Sequence, residues 1–541
     1  MNEKPFAITL DVGSSLANKT GTWRTLKPVY VDRLPPCNAK CPAGEQCQLW
    51  LYHAESGDYK RAWETIVQEN PMPAIMGRVC YHTCETACNR AVVDESVGIN
   101  AVERFLGDHA LKHGWSFVKP ETKTGKRVLV VGSGPAGLSA AYHLARAGHD
   151  VVIYESSESA GGMMRYGIPK YRLPREILDL EIQRILDLGV ELHLNREVSD
   201  LAQEIKEGHF DAVFLGVGAS LARNAYIPGG DARHIMDAVS VLRSMEGEEK
   251  PMLGRRVVVY GGGNTAIDVA RSVKRLGAEP MLVYRRTRDR APAHAFEIEE
   301  AIEEGVHMKW LSTISEAEKG EVRIEKMTLD ENGRPQPTGE YETIGADSVV
   351  LALGQQSNLH FLDGIEGLKI ENDVVVTDEF GYTGVSGIFA GGDMLPGERN
   401  VTVAIGHGKR AARAITAFLK GEAPQHPKPL APATPDRLNS WYYSDAPKTM
   451  RPQLDLVRRQ TTFEEVVQGL NEDNALFEAR RCMSCGNCFE CDNCYGVCPD
   501  NAIIKLGPGK RFAINYEYCK GCGICANECP CGAIDMVKES I

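Results

Sequence analysis

Two runs of cysteines near the carboxyl end of the chain have the spacing of iron–sulfur ligands. The pattern C-x2-C-x2-C-x3-C-P occurs twice, with Cys488, Cys491, Cys494 and Cys498 in the first copy and Cys519, Cys522, Cys525 and Cys529 in the second. Thiolates at these spacings bind a [4Fe–4S] cluster, and the fourth cysteine of each run ligates the cluster of the other run. Zinc is the alternative, since CxxC pairs also bind zinc, but the repeated x3-Cys-Pro ending favours two clusters. Cys482, Cys485 and Cys531 then remain spare, and Cys485 is an alternative ligand of the first cluster.

A second group of cysteines lies near the amino terminus. Its members are Cys37, Cys41, Cys47, Cys80, Cys84 and Cys88, and no cysteine occurs between residues 89 and 481. In a reducing compartment, such dense groups are metal or cluster ligands more often than disulfides. We therefore expect at least one cluster here, with a zinc ion or simply buried thiols as the alternatives.

The cysteine-free middle of the chain contains two glycine-rich loops. In residues 127–154 an apolar strand leads through Gly132-x-Gly134-x-x-Gly137 into an amphipathic helix and a second strand. This βαβ context is the one that the dinucleotide fingerprint requires, with the pyrophosphate at the helix N-terminus. Glu155 ends the second strand, where it is placed to accept hydrogen bonds from a ribose.

The second loop has the same design but a different residue at the ribose position. It opens at Gly261 with the pattern G-x-G-x-x-A, and Arg285 and Arg286 stand where the first copy has Glu155. Two guanidinium groups bind a 2′-phosphate, whereas an acidic residue would repel it. This site is therefore predicted to prefer NADP(H) over NAD(H); a solvated basic edge after the strand is the alternative.

Two further stretches complete a family pattern: GGMMRYGIP at 161–169, and a strand within 387–415 that ends in Gly-Gly-Asp. With them, residues 120–420 resemble the FAD/NADPH module of the glutamate synthase small subunit. The same module occurs in dihydropyrimidine dehydrogenase and in the large subunit of bifurcating NADH-dependent ferredoxin:NADP oxidoreductase. The resemblance implies FAD contacts for Gly132, Gly134, Gly137, Glu155, Gly162, Asp393 and Thr402, and NADPH contacts for Gly263, Asn264, Thr265, Arg285 and Arg286.

The amino-terminal cysteines are similar to those of the helical domain of this family, which carries two [4Fe–4S] clusters. Its ligands begin with C-x2-C-x4-C-x3-C-P, and here Cys37 and Cys41 match only the last two. The resemblance implies one cluster bound by Cys41, Cys80, Cys84 and Glu103. Cys37 and Cys88 remain as ligands for a second cluster, with Cys47 as a candidate third ligand. Another possibility is that Cys37 or Cys88 replaces Glu103 as a ligand of the first cluster. One or two amino-terminal clusters are therefore expected.

These motifs predict a multidomain α/β protein. The predicted units are a helical iron–sulfur domain at 1–120, an FAD-binding domain in two parts at 121–245 and 346–420, an inserted NADPH-binding Rossmann domain at 246–345, a proline-rich linker and helix at 421–478, and a bacterial-type α+β ferredoxin domain at 479–541. The stretch 461–480 is predicted to be helical and to lead into the carboxyl-terminal clusters.

Composition narrows the class of partner. A net charge of −12 argues against nucleic acid, and no apolar run is long enough to span a bilayer. The first residues lack a basic segment followed by an apolar core, so a cytoplasmic protein is expected.

The predicted cofactors together convert electron pairs into single electrons. NADPH gives a hydride, clusters accept one electron at a time, and a flavin exchanges electrons with both. No additional domain for a carbon substrate is recognisable, so the leading hypothesis is an NADPH-linked electron-transfer subunit of a hetero-oligomer, paired with a catalytic oxidoreductase subunit or a ferredoxin. The alternatives are an electron-bifurcating subunit, a stand-alone NADPH:ferredoxin oxidoreductase, and a scaffold that has lost catalysis.

Overall fold

The structure is a computed structural model that describes residues 19–223, 227–228, 235–247, 250–318, 320–426 and 428–539. Two parallel β-sheets form its centre, helices precede them, and a small cysteine-rich unit follows. In the described ranges, no helix combines the length and the apolar character that crossing a membrane requires.

Sheet I has five parallel strands and contains the first glycine loop. Its strands, in spatial order, are Ile388–Ala390, Ala212–Leu215, Arg127–Val131, Asp150–Tyr154 and Glu191–His193. The three central strands are apolar apart from their first residues Arg127 and Asp150, because helices cover both faces of such a sheet. The helices of this region are Pro135–Arg146, Met163–Tyr166, Arg175–Leu186, Leu201–Gly208 and Val401–Lys420.

Sheet II repeats this architecture around the second glycine loop. Its parallel strands, in spatial order, are His307–Lys309, Glu279–Val283, Arg256–Tyr260, Ser348–Leu351 and Ile235–Asp237. Its helices are Ala238–Ser244, Asn264–Arg275 and Ala295–Glu303. An antiparallel sheet of Ser312–Glu318, Gly320–Leu329 and Pro335–Ala346 lies beside it, and two short strand pairs join Leu221–Ala222 to Gln355–Gln356 and Ile370–Glu371 to Val374–Val375.

The amino-terminal region is helical. Its helices are Pro36–Lys40, Cys47–Glu55, Tyr59–Ile66, Pro73–Val79, Thr83–Thr86 and Ile99–Lys112. Two of them pack at glycine: a Cβ atom on Gly107 would lie 2.3 Å from the backbone nitrogen of Ala74. This close approach fixes the helix that carries Glu103 against the segment that leads to Cys80.

The carboxyl-terminal region is built from short elements. Its helices are Leu456–Thr461, Glu472–Arg480, Asn493–Val497 and Ile524–Asn527, and Ile503–Lys505 pairs with Phe512–Ile514. The predicted helix at 461–480 is therefore wrong over 462–471, where the backbone amide of Val466 instead donates to the carbonyl of Tyr171 at 2.9 Å.

The two ends of the described chain meet in one sheet. Strand Leu26–Tyr30 pairs antiparallel with Ile534–Lys538, and Arg24 Nε donates to Glu539 Oε2 at 2.7 Å. Residues 26–30, grouped by sequence with the amino-terminal domain, thus pack on the carboxyl-terminal unit. Together these regions confirm the predicted multidomain α/β class.

Candidate functional site

A central cavity of about 500 Å³ opens between the two parallel sheets. Gly132 and Gly134 of the first loop form one side, and Asn264 and Thr265 of the second loop form another. Tyr81, which comes from the amino-terminal helices, completes the wall. Three regions that are far apart in the sequence therefore share one cavity of the size that ligand sites have.

The first loop leaves room for a ligand at its second glycine. A Cβ atom on Gly134 would meet no atom within 4 Å, whereas one on Gly137 would lie 1.9 Å from the carbonyl oxygen of Gly132. Gly134 therefore faces open space at the start of helix Pro135–Arg146, and Gly137 serves close helix–strand packing. This division is the one that a pyrophosphate at a helix N-terminus requires.

Glu155 lines the cavity and also holds the loops around it. Its Oε2 accepts hydrogen bonds from the amide of Ser133 at 2.9 Å and from the Ser133 hydroxyl at 2.6 Å. Its Oε1 accepts from the amide of Ser157 at 2.7 Å. The carboxylate is thus fixed in orientation at the end of its strand, where a ribose would meet it.

Five of the residues with an implied FAD contact line the cavity, namely Gly132, Gly134, Glu155, Gly162 and Asp393. Burial raises the pKa of Asp393 to about 6, and Arg399 partly opposes this shift. Gly137 and Thr402 lie behind the lining rather than in it.

The second loop reaches the cavity through Asn264. The Asn264 side chain donates to the Tyr81 hydroxyl at 2.8 Å and accepts from the amide of His294 at 3.1 Å. The Tyr81 and His294 rings stack with centroids 3.7 Å apart. This contact fixes an amino-terminal aromatic ring against the start of helix Asn264–Arg275.

One arginine joins the two sheets across the cavity, and sequence reasoning missed it. Arg172 Nη1 donates to both carboxylate oxygens of Asp268 at 2.9 and 2.8 Å, and its Nη2 lies 2.7 Å from Glu297 Oε1. Its position, shortly after the GGMMRYGIP stretch, is the only signal in the sequence.

Arg285 and Arg286 lie outside the cavity lining, after the strand Glu279–Val283. Neither forms an ion pair within the described ranges, and Arg286 Nε is buried without a hydrogen-bond partner among those residues. A buried guanidinium nitrogen with no partner is costly. Gly263 precedes the helix as its N-cap.

The amino-terminal cysteines surround Glu103 behind Tyr81. Burial and the neighbouring Glu103 raise the pKa of Cys80 well above its usual range, while a hydrogen bond with Thr402 lowers it. Burial also raises the pKa of Glu103, as do the nearby Glu45 and the thiols of Cys41 and Cys84. The structure thus brings Cys41, Cys80 and Cys84 near Glu103, although among the described residues no three or more such side chains are spaced to hold a single metal ion.

Cys47 lies between this set and Cys37. Hydrogen-bond contacts with Cys37, Cys41 and Cys84 raise the pKa of the buried Cys47 thiol well above its usual range. The structure therefore keeps Cys47 close to the group as a further candidate ligand.

The carboxyl-terminal cysteines are arranged in two sets, each drawn from both runs. Burial raises the pKa of Cys494 to about 12, Tyr30 lowers it by a hydrogen bond, and Cys488, Cys491 and Cys529 raise it. Burial also raises the pKa of Cys525 to about 12, together with the thiols of Cys498, Cys519, Cys494 and Cys522. Cys498, Cys519, Cys522 and Cys525 line one cavity of about 20 Å³.

A third group of thiols brings the two ends of the sequence together. Cys37 and Cys88 line a second cavity of about 20 Å³ with Cys482 and Cys485. The sequence analysis left the last two spare, and their continuation of the x2 spacing toward Cys488 is the signal that could have singled them out.

Comparison with known families accounts for most of this architecture. Residues 126–408 match the pyridine nucleotide-disulphide oxidoreductase family. Residues 32–115 match dihydropyrimidine dehydrogenase domain II, 4Fe-4S cluster, and residues 512–535 match a 4Fe-4S binding domain. These matches confirm the predicted resemblance and favour iron–sulfur clusters over zinc.

Curated relatives match most of the chain. It is 35% identical to the NADP(+)-dependent formate dehydrogenase subunit beta of Moorella thermoacetica over 502 residues, 83% of this chain and 70% of that protein. It is 32% identical to the NADPH-Fe(3+) oxidoreductase subunit beta of Geobacter sulfurreducens over 523 residues, 85% of this chain and 77% of that protein. It is 33% identical to the NAD-dependent dihydropyrimidine dehydrogenase subunit PreT of Escherichia coli over 391 residues, 71% of this chain and 91% of that protein.

Proposed function

Because this chain belongs to the pyridine nucleotide-disulphide oxidoreductase family and is an NAD(P)H-dependent iron–sulfur flavoprotein oxidoreductase, we propose that it is the electron-transfer subunit of a larger enzyme. It exchanges hydride with NADPH at FAD and passes single electrons through [4Fe–4S] clusters to or from a catalytic subunit or a ferredoxin. Bound FAD supplies the conversion between electron pairs and single electrons.

The observation that carries this proposal is the shared wall of the central cavity. Gly134 of the first loop and Asn264 of the second both line it, and so does Tyr81, the residue next to Cys80. A flavin in this cavity would have the second glycine loop on one side and the residue next to Cys80 on the other. This arrangement supports hydride exchange and one-electron transfer at the same flavin.

We assign the cofactor ligands as the sequence analysis predicted them, except for Gly137 and Thr402, which lie outside the cavity lining. FAD is bound by Gly132, Gly134, Glu155, Gly162 and Asp393, and NADPH by Gly263, Asn264, Thr265, Arg285 and Arg286. Gly137 packs the first loop against its helix, and Thr402 lies next to Cys80. The clusters are bound by Cys41, Cys80, Cys84 and Glu103; by Cys488, Cys491, Cys494 and Cys529; and by Cys498, Cys519, Cys522 and Cys525.

The relatives support a partner subunit. Two are named as beta subunits, of a formate dehydrogenase and of an NADPH-Fe(3+) oxidoreductase, and the third as a subunit of a dihydropyrimidine dehydrogenase. We infer that this chain likewise works in a hetero-oligomer, with the other subunit holding the final substrate.

The test is anaerobic purification of the tagged chain from its native cell, followed by titration with NADPH. We expect a co-purifying catalytic polypeptide, and we expect NADPH to bleach the flavin absorbance first and the cluster absorbance next. A single polypeptide that is fully active with ferredoxin would refute the subunit assignment. If NADPH does not bleach the flavin, the proposal that NADPH bound at the second glycine loop reduces FAD is refuted.

A further inference from the structure

We propose that Cys37, Cys88, Cys482 and Cys485 bind a fourth [4Fe–4S] cluster, in a site that neither end of the chain can form alone. The inference rests on the iron–sulfur assignment above but not on the identity of the electron partner. It replaces the two ligands that the amino-terminal pattern lacks with two cysteines from more than 400 positions later in the sequence.

The first support is the cavity that these four residues line. Its volume is about 20 Å³, the same as that of the cavity lined by Cys498, Cys519, Cys522 and Cys525. That second cavity belongs to a cysteine set with full ferredoxin spacing. The four thiols at the proposed site therefore line one cavity, as do the four thiols of a set with full ferredoxin spacing.

The second support is local backbone geometry at Cys482. The amide of Ser484 points at the Cys482 sulfur at 3.5 Å, and Ser484 has a positive φ of 48°. The predicted ligand Cys80 shows the same arrangement: the amide of His82 donates to its sulfur at 3.3 Å, and His82 has a φ of 41°. A non-glycine residue in this region is strained, and amide bonds to sulfur are a means by which proteins tune clusters.

The third support is the docking of the segment that carries Cys482 and Cys485. Arg481 is buried, and its guanidinium donates to the carbonyl of Glu95 at 2.7 Å and to Glu478 at 2.6 Å. Gln48 Nε2 donates to the Ser484 hydroxyl at 3.0 Å. The segment is thus held against the amino-terminal helices on both sides of Cys482, in the position that a shared cluster requires.

The site would make the series of clusters continuous. Cys37 is one helical turn from Cys41, whose amide donates to the Cys37 carbonyl at 3.1 Å. Cys485 is three residues from Cys488, so their Cα atoms are at most about 11 Å apart. A cluster here would pass single electrons between the amino-terminal cluster and the first carboxyl-terminal cluster, one of which would be oxidised by one electron as the other is reduced by one.

Cys47 is the competing ligand, because its thiol also contacts Cys37. It does not belong to the lining of this cavity, whereas Cys482 and Cys485 do. If Cys482 and Cys485 are ligands, replacing them should remove iron. If Cys47 is the ligand instead, Cys47→Ala should remove that iron.

The test measures iron, acid-labile sulfide, zinc and FAD in the full holoprotein purified without oxygen. The wild-type chain should contain about 16 irons, four for each cluster. The double variant Cys482→Ala/Cys485→Ala should lose about four irons and four sulfides while keeping its FAD. Met483→Leu, which changes a neighbouring residue of the same cavity, should lose none.

Three outcomes would overturn the proposal: unchanged iron in the double variant, loss of the same iron in Cys47→Ala instead, or about 12 irons with one zinc in the wild type. If the double variant does not fold, Cys485→Ser decides, since an oxygen ligand should alter the electron paramagnetic resonance signal of one cluster and leave three unchanged; four unchanged signals would refute the site. The iron and sulfide contents do not depend on catalytic activity. A failure of NADPH to bleach the flavin would therefore contradict the proposed function without contradicting this cluster site.

Discussion

The side chain of Thr402 lies next to the sulfur of Cys80 and lowers the pKa of that thiol. Thr402 is the second residue of helix Val401–Lys420, and the preceding residues Asn400 and Val401 line the central cavity. One helix start therefore touches the central cavity on one side and a proposed cluster ligand on the other. If FAD and a cluster occupy these two sites, a helix would connect them.

Thr402→Val should lower the reduction potential of the amino-terminal cluster, because hydrogen bonds to ligand sulfur stabilise the reduced state. A net hydrogen bond of about 1 kcal/mol corresponds to about 40 mV for a one-electron couple. Redox titration followed by electron paramagnetic resonance measures the shift. Thr402→Ser keeps the hydroxyl and should stay at the wild-type potential; equal shifts in both variants would mean that packing, not the hydrogen bond, sets the potential.

Replacing Arg285 and Arg286 with alanine should raise the KM for NADPH at least about tenfold and leave the KM for NADH nearly unchanged. Each charge-assisted hydrogen bond to a 2′-phosphate contributes about 1.5–3 kcal/mol, and NADH has no such phosphate. Steady-state dye reduction with both nucleotides gives the comparison. Arg255→Ala is the control, since Arg255 is exposed and pairs with Glu279 at 2.8 Å. It lies where the strands of sheet II begin, whereas Arg285 and Arg286 follow the end of a strand. Equal effects on the two nucleotides would contradict the phosphate contact.

FAD retention should increase with pH between about 5 and 7. Burial raises the pKa of Asp393 to about 6. In the flavin-free protein, the protonated side chain therefore contributes fully to folding stability below about pH 4, and this contribution is lost as pH rises through 6. A flavin hydroxyl that donates to Asp393 favours the ionised carboxylate, so affinity gains up to about tenfold per pH unit below 6. Flavin release during desalting at each pH measures this. In Asp393→Asn the pH dependence should disappear, and a wild-type-like slope in that variant would assign the effect to another group.

Glu304→Gln should destabilise the region around sheet II by about 3–5 kcal/mol, because it leaves buried arginines without their carboxylate. Glu304 is fully buried, with oxygens 2.7 Å from both Arg271 and Arg275. Burial raises its pKa, but the hydrogen bonds from these arginines prevail and lower it to about 2. Its contribution is therefore present above about pH 4.5 and is lost as pH falls toward 2.

The neighbouring carboxylate supplies the control for this change. Glu303 is 62% exposed and pairs with Arg459 at 3.2 Å, so Glu303→Gln should change stability by no more than about 1 kcal/mol. Thermal and urea unfolding of the full chain compare the two variants. Similar midpoints for both would show that the buried network does not stabilise the fold.

Much of the site could be predicted from the sequence because the chemistry is local. A strand, a glycine loop and a helix follow each other within 30 residues, so one stretch of chain determines that Gly134 and Glu155 line the cavity. The carboxyl-terminal cysteine sets are likewise determined by spacing. The helix predicted for 461–480 failed where tertiary contacts decided, since residues 462–471 follow the surface of other elements.

Other features depend on contacts that no local pattern records. Arg172 meets Asp268 only because the two sheets face each other across a cavity. Cys482 and Cys485 meet Cys37 only because the carboxyl-terminal segment folds back onto the amino-terminal helices. In both cases the partner lies outside any window of sequence that a motif can cover.

The pairing of Leu26–Tyr30 with Ile534–Lys538 bears on how the protein is made. The first strand leaves the ribosome long before its partner exists, and the salt bridge beside it joins residues 515 positions apart. In the folded protein the Tyr30 hydroxyl lies 3.2 Å from the Cys494 sulfur, so this contact can form only after residue 494 has been synthesised. Strand Leu26–Tyr30 can therefore pair only after residues 534–538 have been synthesised, and a chain that lacks them would leave this strand without its partner.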